Sequence, residues 1–230
     1  MTATNPSHLL QSFGRRLGRK LRTHQSELMQ TLLPQLKITL PEGDVSVASL
    51  FANPEAPLWF ELGFGGGEHL VEQARRNSKV NFIGCEPFIN GMAKLLAAID
   101  GAKLTNLRLS DGDARLVLER LPDASIDRLF ILFPDPWPKV RHHKRRIISQ
   151  DGLALFHRKL KAGGLLRLVT DHVDYGTWML EQLIAFGKFE WTAKTSADWK
   201  TPPVDWVRTR YQAKAEAEGR CATFLDWIKI

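Results

Sequence analysis

The stretch Glu61–Leu70, ELGFGGGEHL, decides the fold. An apolar run, Leu58-Trp59-Phe60, leads into it, and Leu70, Val71 and Ala74 follow on one face of a helical period. A strand that ends in glycines at 63, 65 and 67 and passes straight into an amphipathic helix is a strand–turn–helix unit. Glycine lets the backbone turn sharply and lets a ligand come close to it. A tight turn alone would also account for the glycines, so their meaning depends on what surrounds them.

Outward from this stretch the same alternation repeats. VNFIGCEP is a second apolar run closed by proline, and Phe88, Ile89, Met92, Leu95, Leu96 and Ile99 then fall at helix spacing. LTNLRLSDGDA reads as a third strand with its turn, and RLVLERL as a short helix. IDRLFILF is almost wholly apolar, as a strand buried on both faces of a parallel sheet should be. A helix is expected from about Ser149 to Leu160, and a fifth strand across GGLLRLVTD. Tyr175, Met179, Leu183 and Phe186 mark the next helix. Shorter strands near Phe189 and over Cys221–Ile228, with a helix across RYQAKAEAEG between them, complete the pattern. The expected fold is α/β: a mostly parallel, Rossmann-like sheet of seven strands with helices on both faces.

The chain has 230 residues, enough for one domain with a full core. Lys plus Arg exceeds Asp plus Glu by 32 − 25 = 7, which favours a polyanionic partner. The excess is uneven. Arg15, Arg16, Arg19, Lys20 and Arg22 all precede the first acid, Glu27. An organellar targeting segment would have that composition, but a nucleic-acid-binding arm explains it better. The two cysteines, Cys85 and Cys221, are far apart in apolar settings and are expected as buried free thiols. No apolar run is long enough to span a bilayer, and the cytoplasm is the expected location.

Three carboxylates give the glycine turn chemical meaning. Glu61 lies inside the end of the first strand, Glu86 closes the second, and Asp113 follows the third. A doubly wound sheet brings its strand ends to one crevice, where a carboxylate after the second strand holds ribose hydroxyls. Asp113 could meet an adenine edge. A pyrophosphate prefers a helix N-terminus without negative charge, yet Glu68 opens this helix. The acids suit a cationic nucleoside such as S-adenosylmethionine better than NAD. An NAD-dependent oxidoreductase on a similar sheet, a non-catalytic RNA-binding module and a methyltransferase acting on amino groups remain the alternatives.

Next comes FPDPWPKVRHHKRR, Phe133–Arg146. In a sheet ordered 3-2-1-4-5, strand four lies beside strand one, about 5 Å away. The prolines stiffen a turn that would hold Asp135 at the edge of the glycine loop. Arg141, His142, His143, Lys144, Arg145 and Arg146 then form a basic arm suited to phosphates. The paired histidines have no further ligand spacing, so no metal is expected.

This stretch, with ELGFGGG upstream, TDH at 170–172 and TRYQAKAEAEG near the C-terminus, resembles the bacterial tRNA (guanine-N7)-methyltransferase family, from about Leu58 onward. The proline–aspartate–tryptophan turn is specific, whereas the glycine motif is shared by many methyltransferases. The resemblance implies transfer of a methyl group from S-adenosylmethionine to N7 of the variable-loop guanine, position 46 of tRNA. It implies that Glu61, Glu86, Asp113 and Asp135 contact the donor, with the glycines 63, 65 and 67 forming its cradle and Asp135 catalytic. Lys139, Asp171, Thr209, Arg210, Tyr211 and Gln212 would hold the substrate, and residues 141–146 the RNA. The family usually has Glu where this chain has Gln212, which still offers guanine a carbonyl but no charge. Residues 1–50 are expected as a basic, mainly irregular extension with a helical part around Gln25–Leu33, and 51–230 as the methyltransferase domain. The expected partner is tRNA, with the protein a monomer or homodimer and no membrane involved.

Overall fold

The computed structural model describes residues 16–40 and 43–230, so Arg15 lies outside the described residues. The sheet has seven strands: β1 Leu58–Leu62, β2 Asn81–Cys85, β3 Leu107–Ser110, β4 Ile126–Leu132, β5 Leu160–Thr170, β6 Phe189–Trp191 and β7 Thr223–Lys229. Their order is β3-β2-β1-β4-β5-β7-β6. The first five pair in parallel, and β7 runs antiparallel to both β5 and β6. The chain reverses its winding direction between β1 and β4. The crevice beyond their carboxyl ends is where such sheets hold ligands.

The parallel strands are apolar on both faces because helices cover both. Strand alternation sends Phe60, Ile83, Leu129 and Ile131 into one core. There they meet α6 (Ala114–Arg120), α7 (Gln150–Lys159) and α8 (Val173–Phe186) through Leu118, Phe156 and Met179. Trp59, Phe82 and Phe130 point the other way. They meet α4 (Glu68–Arg76) and α5 (Ile89–Ala102) through Leu70, Leu95 and Ile99. Glu61, two residues after Trp59, shares this second face by the period of two, which matters for the site below.

The N-terminal part has the helix expected around Gln25–Leu33 but is otherwise less irregular than expected. Within residues 23–50 lie α1 (Thr23–Thr31), α2 (Leu33–Leu36) and α3 (Val47–Leu50), and Leu28, Leu33, Leu36, Ile38, Val45 and Leu50 are buried. Ile38 N–H donates to Leu109 O at 2.8 Å, tying the segment to the free edge of β3. Short elements with separate contacts carry no single period, so the sequence reads as irregular where the fold is not. Cys221 also corrects an expectation: it is exposed, whereas Cys85 is buried. A short helix over Ser196–Lys200, α9, precedes α10 (Arg210–Ala217). Among the described residues no helix is long and apolar enough to cross a membrane.

Candidate active site

The glycine turn is built on left-handed backbone: φ is 72° at Gly63, 57° at Gly65 and 79° at Gly67. Its amides serve the protein itself. Gly63 N–H donates to Cys85 O (2.8 Å), Gly65 N–H to a Glu86 carboxylate oxygen (2.7 Å) and Gly67 N–H to Phe64 O (2.9 Å). These three amides are therefore already used, and Glu68 places a negative charge at the start of α4. The three amides are not offered to a pyrophosphate, while a Cβ added at Gly63 would meet nothing within 4 Å. That space, bordered by carboxylates, fits a cationic nucleoside.

Glu86 bridges two turns, its second oxygen accepting from Phe88 N–H at 2.9 Å. Burial pushes its carboxyl above the ordinary range. The two amide bonds and Arg210 oppose that shift, and the nearby Asp135 adds to it. Burial likewise raises the Cys85 thiol, helped by Asp113 and Glu86 on either side. Asp113 caps α6, accepting from Arg115 N–H at 2.9 Å, and its carboxylate also binds the Arg115 guanidinium. Its predicted contact with a ligand thus competes with an arginine.

Glu61 is not an open carboxylate. One of its oxygens lies 2.6 Å from Nδ1 of His69, and both side chains are buried. His69 stands opposite because strand alternation aims Glu61 at α4. Sequence reading missed His69, whose only signal is its place on the second residue of the helix that follows the glycines.

The proline turn is strained and braced. Phe133 and Trp137, at its two ends, have φ of 51° and 44°, where bulky residues are rare. Phe133 N–H donates to Val169 O at 2.7 Å, and its ring stacks on Tyr211 (6.4 Å between centroids, 21° between planes). Arg146 Nε donates to Pro136 O at 2.9 Å, and Arg145 lies over the Trp137 ring. Asp135 is left facing solvent on the cleft side. Lost hydration from the surrounding turn nevertheless raises its carboxyl above the ordinary range.

The basic arm is a 3₁₀ turn over Val140–Arg145, and its residues separate. Arg141 and Lys144 are exposed, as is Lys139 before them. His142 packs edge-on against Trp137, and His143 turns its ring inward onto Trp178. Arg146 is a correction to the predicted RNA contacts. It is buried, paired with Asp174 at 2.5 Å and set over the Tyr175 and Trp178 rings. Its guanidinium holds the proline turn on α8 and does not reach solvent.

Thr209–Gln212 crosses the glycine turn from the far side. A Cβ on Gly65 would lie 2.6 Å from Cε2 of Tyr211, and the Arg210 guanidinium approaches Gly66 and Glu68 (Nε–Oε1 3.5 Å). Thr209 caps α10, accepting from Gln212 N–H at 3.2 Å. Gln212 is buried and works within the arm. It accepts from Trp206 Nε1 (2.6 Å) and donates to Glu216 (2.9 Å). The loop before the arm is pinned by Asp205, whose carboxylate takes 2.8 Å bonds from Arg128 and Arg167. Asp171, at the end of β5, is engaged by Arg220, whose Nε lies 2.7 Å from its Oδ2. Among the described residues no group of three or more His, Cys, Asp or Glu could hold a metal.

Residues 55–225 match a family model described as a putative methyltransferase. The tRNA (guanine-N(7)-)-methyltransferase of Agrobacterium fabrum is 46% identical over 218 residues, 94% of each chain. That of Rhizobium meliloti is 45% identical over 227 residues, 98% of each. Among solved structures, a precorrin-6y C5,15-methyltransferase from Geobacter metallireducens aligns over 92% of this chain and 91% of its own with a TM-score of 0.51, at 17% identity. The last of these reports the fold alone. An acid-lined glycine turn, a braced Asp135 and near full-length identity above two-fifths lead to one conclusion: the chain belongs to the bacterial tRNA (guanine-N(7)-)-methyltransferase family.

Proposed function

We propose that the protein transfers the methyl group of S-adenosylmethionine to N7 of guanine 46 in the variable loop of tRNA, in the cytoplasm. The observation that carries this reading is the convergence of Glu86, Asp135 and Tyr211 beside a glycine turn whose amides at 63, 65 and 67 are already bonded within the protein. When bound, S-adenosylmethionine supplies an electrophilic methyl on a sulfonium.

Guanine N7 has a free lone pair and no proton, so no general base is needed. The protein's task is placement, with N7 roughly 3–3.5 Å from the methyl carbon and in line with the bond that breaks. Phe133 and Tyr211 offer a stacked aromatic face beside Asp135 for the flat base. The Asp135 carboxylate, fixed by prolines and by Arg146, orients the base and stabilises the positive charge that develops on its ring. Glu61, Glu86 and Asp113 line the donor's side, with Gly63, Gly65 and Gly67 forming its floor. Asp171 reads the guanine edge: N1–H and N2–H₂ present donors of the kind Arg220 now gives it. Lys139, Arg141 and Lys144 contact phosphates. So do Arg16, Arg19, Lys20 and Arg22, which are exposed and fastened beside the cleft by Ile89 N–H to Arg16 O (3.0 Å) and Asn90 to Arg19 O (2.6 Å). Every group named belongs to one chain, so a monomer suffices, and a homodimer would carry two complete sites.

The test is incubation with labelled S-adenosylmethionine and bulk tRNA, followed by borohydride–aniline cleavage, which breaks RNA at 7-methylguanosine. Cleavage at position 46 is expected. Label incorporated without cleavage there would refute the assignment.

A further inference from the structure

A buried chain of contacts joins the donor side of the cleft to the acceptor arm, and none of its middle members touches the open cleft. It begins at Glu61, whose oxygen meets His69 Nδ1 at 2.6 Å. His69 Nε2 lies 3.4 Å from Gln73 Nε2, one helical turn further along α4. The same Gln73 amide donates to the backbone oxygen of Asp205 at 2.7 Å, across 132 positions of sequence. The tautomer that satisfies both bonds of His69 carries its proton on Nδ1 and accepts at Nε2. Gln73 then uses its two amide hydrogens on His69 and Asp205, while its oxygen accepts from Asn77 at 3.2 Å. Every polar end of His69 and Gln73 is spoken for, which such buried groups require.

A second contact follows the same route. The His69 ring packs against Trp206 at 5.6 Å, and Trp206 Nε1 donates to Gln212 inside the arm. Thr209–Gln212 is therefore registered against the wall that carries Glu61 by way of one imidazole. Arg128 and Arg167 hold the carboxylate of Asp205 from the sheet, on the residue whose backbone oxygen Gln73 holds.

We propose that His69, acting with Gln73, is a positioning residue that couples donor binding to RNA binding. The inference rests on the reading that the donor contacts Glu61 and the RNA contacts Thr209–Gln212. A donor that tightens Glu61 against His69 fixes the arm where the guanine must stack, and by linkage a bound tRNA strengthens the donor site equally.

The experiment is calorimetry of sinefungin, an unreactive analogue that keeps a positive charge, with and without saturating tRNA. The ratio of the two dissociation constants is the coupling factor, and wild type is expected to show at least about fivefold. His69→Asn keeps an N–H for Glu61 but loses both the ring and the Nε2 acceptor. It should bind sinefungin alone within about twofold of wild type and show a coupling factor near one. Gln73→Met keeps the shape without the bonds and should cut the factor at least about twofold. The double variant should match His69→Asn alone, because both lie on one route. His69→Leu, which also deprives Glu61 of its partner, should lose sinefungin affinity as well as coupling. A purely structural role would lower stability and affinity in all variants without separating the two quantities. A wild-type factor near one, or an unchanged factor in whichever of His69→Asn and Gln73→Met folds, overturns the coupling. If that wild type still methylates tRNA at N7, only the linkage falls. If it neither binds sinefungin nor methylates tRNA, the functional reading fails and takes the linkage with it.

Discussion

Arg146 donates to Asp174 at 2.5 Å from a guanidinium that is itself buried, and its Nε simultaneously holds the oxygen of Pro136. A residue that looks like one more cation in a basic run is therefore the brace between the Asp135 turn and α8. Arg146→Met should lose about 2 kcal/mol of stability from charge-assisted bonds. That is a melting temperature lower by roughly 4–8 °C for a chain of this size. It should reduce kcat while leaving the salt dependence of tRNA binding unchanged. Thermal denaturation and binding titrations at several salt concentrations check both halves.

Arg141 and Lys144 should behave in the opposite way. Both are exposed. Replacing them with Gln should leave the melting temperature and kcat close to wild type and weaken tRNA binding. Each lost phosphate contact reduces the slope of log affinity against log salt by about 0.9. A slope lower by roughly one to two in the double variant is the expected reading.

Asp135→Asn should sharply reduce kcat and stabilise the fold. Removing a group that stabilises developing charge costs on the order of 10²–10³ in kcat. The Asp135 carboxyl is raised in the folded protein by lost hydration. A raised value means the native state holds the proton more tightly than the unfolded chain. The favourable contribution is therefore present below the unfolded value and lost as pH rises through the folded one. At neutral pH the carboxylate opposes folding, so the amide should melt higher than wild type, with the gap closing in acid. In the wild-type enzyme kcat/KM should fall on the acid side at a pH above the ordinary carboxylate range. Glu86, raised mainly by burial, titrates close by and shares that limb.

Gly91→Ala tests the contact between α5 and the glycine turn. A Cβ there would lie 2.1 Å from the backbone oxygen of Gly65, which no side-chain rotation can relieve. Overpacking of this kind costs about 1–3 kcal/mol. Because the atom that must move belongs to the turn, donor affinity should drop by roughly 10- to 100-fold, measured by calorimetry with sinefungin.

What the sequence disclosed and what it hid divide along physical lines. The strand order β3-β2-β1-β4-β5 and the carboxylates at strand ends follow from local alternation and from the rule that such sheets bind at the switch in winding. Tyr211 and Arg210 were singled out only through the family resemblance, as substrate contacts, and their place over the glycine turn was hidden because no local pattern brings residue 211 to residue 65. Gln73 and Asp205 were invisible for the same reason. Arg146 was misread because composition reports a run of cations but not the direction each one faces. The 3₁₀ turn over Val140–Arg145 rotates side chains by about a third of a circle per residue, and Arg146, just past it on extended backbone, turns inward. The helix near Gln25–Leu33 was legible, but the burial of Leu36 to Leu50 escaped because short helices bury one or two residues each at unrelated spacings.

The position of β7 between β5 and β6 has a consequence for biosynthesis. Until Thr223–Lys229 has left the ribosome, β6 has no neighbour to join and the outer edge of the long strand β5 is bare. Nascent chains awaiting those seven residues present an open ladder to one another. Polypeptides truncated before that point should be captured by chaperones or proteases, however well their first five strands have already assembled.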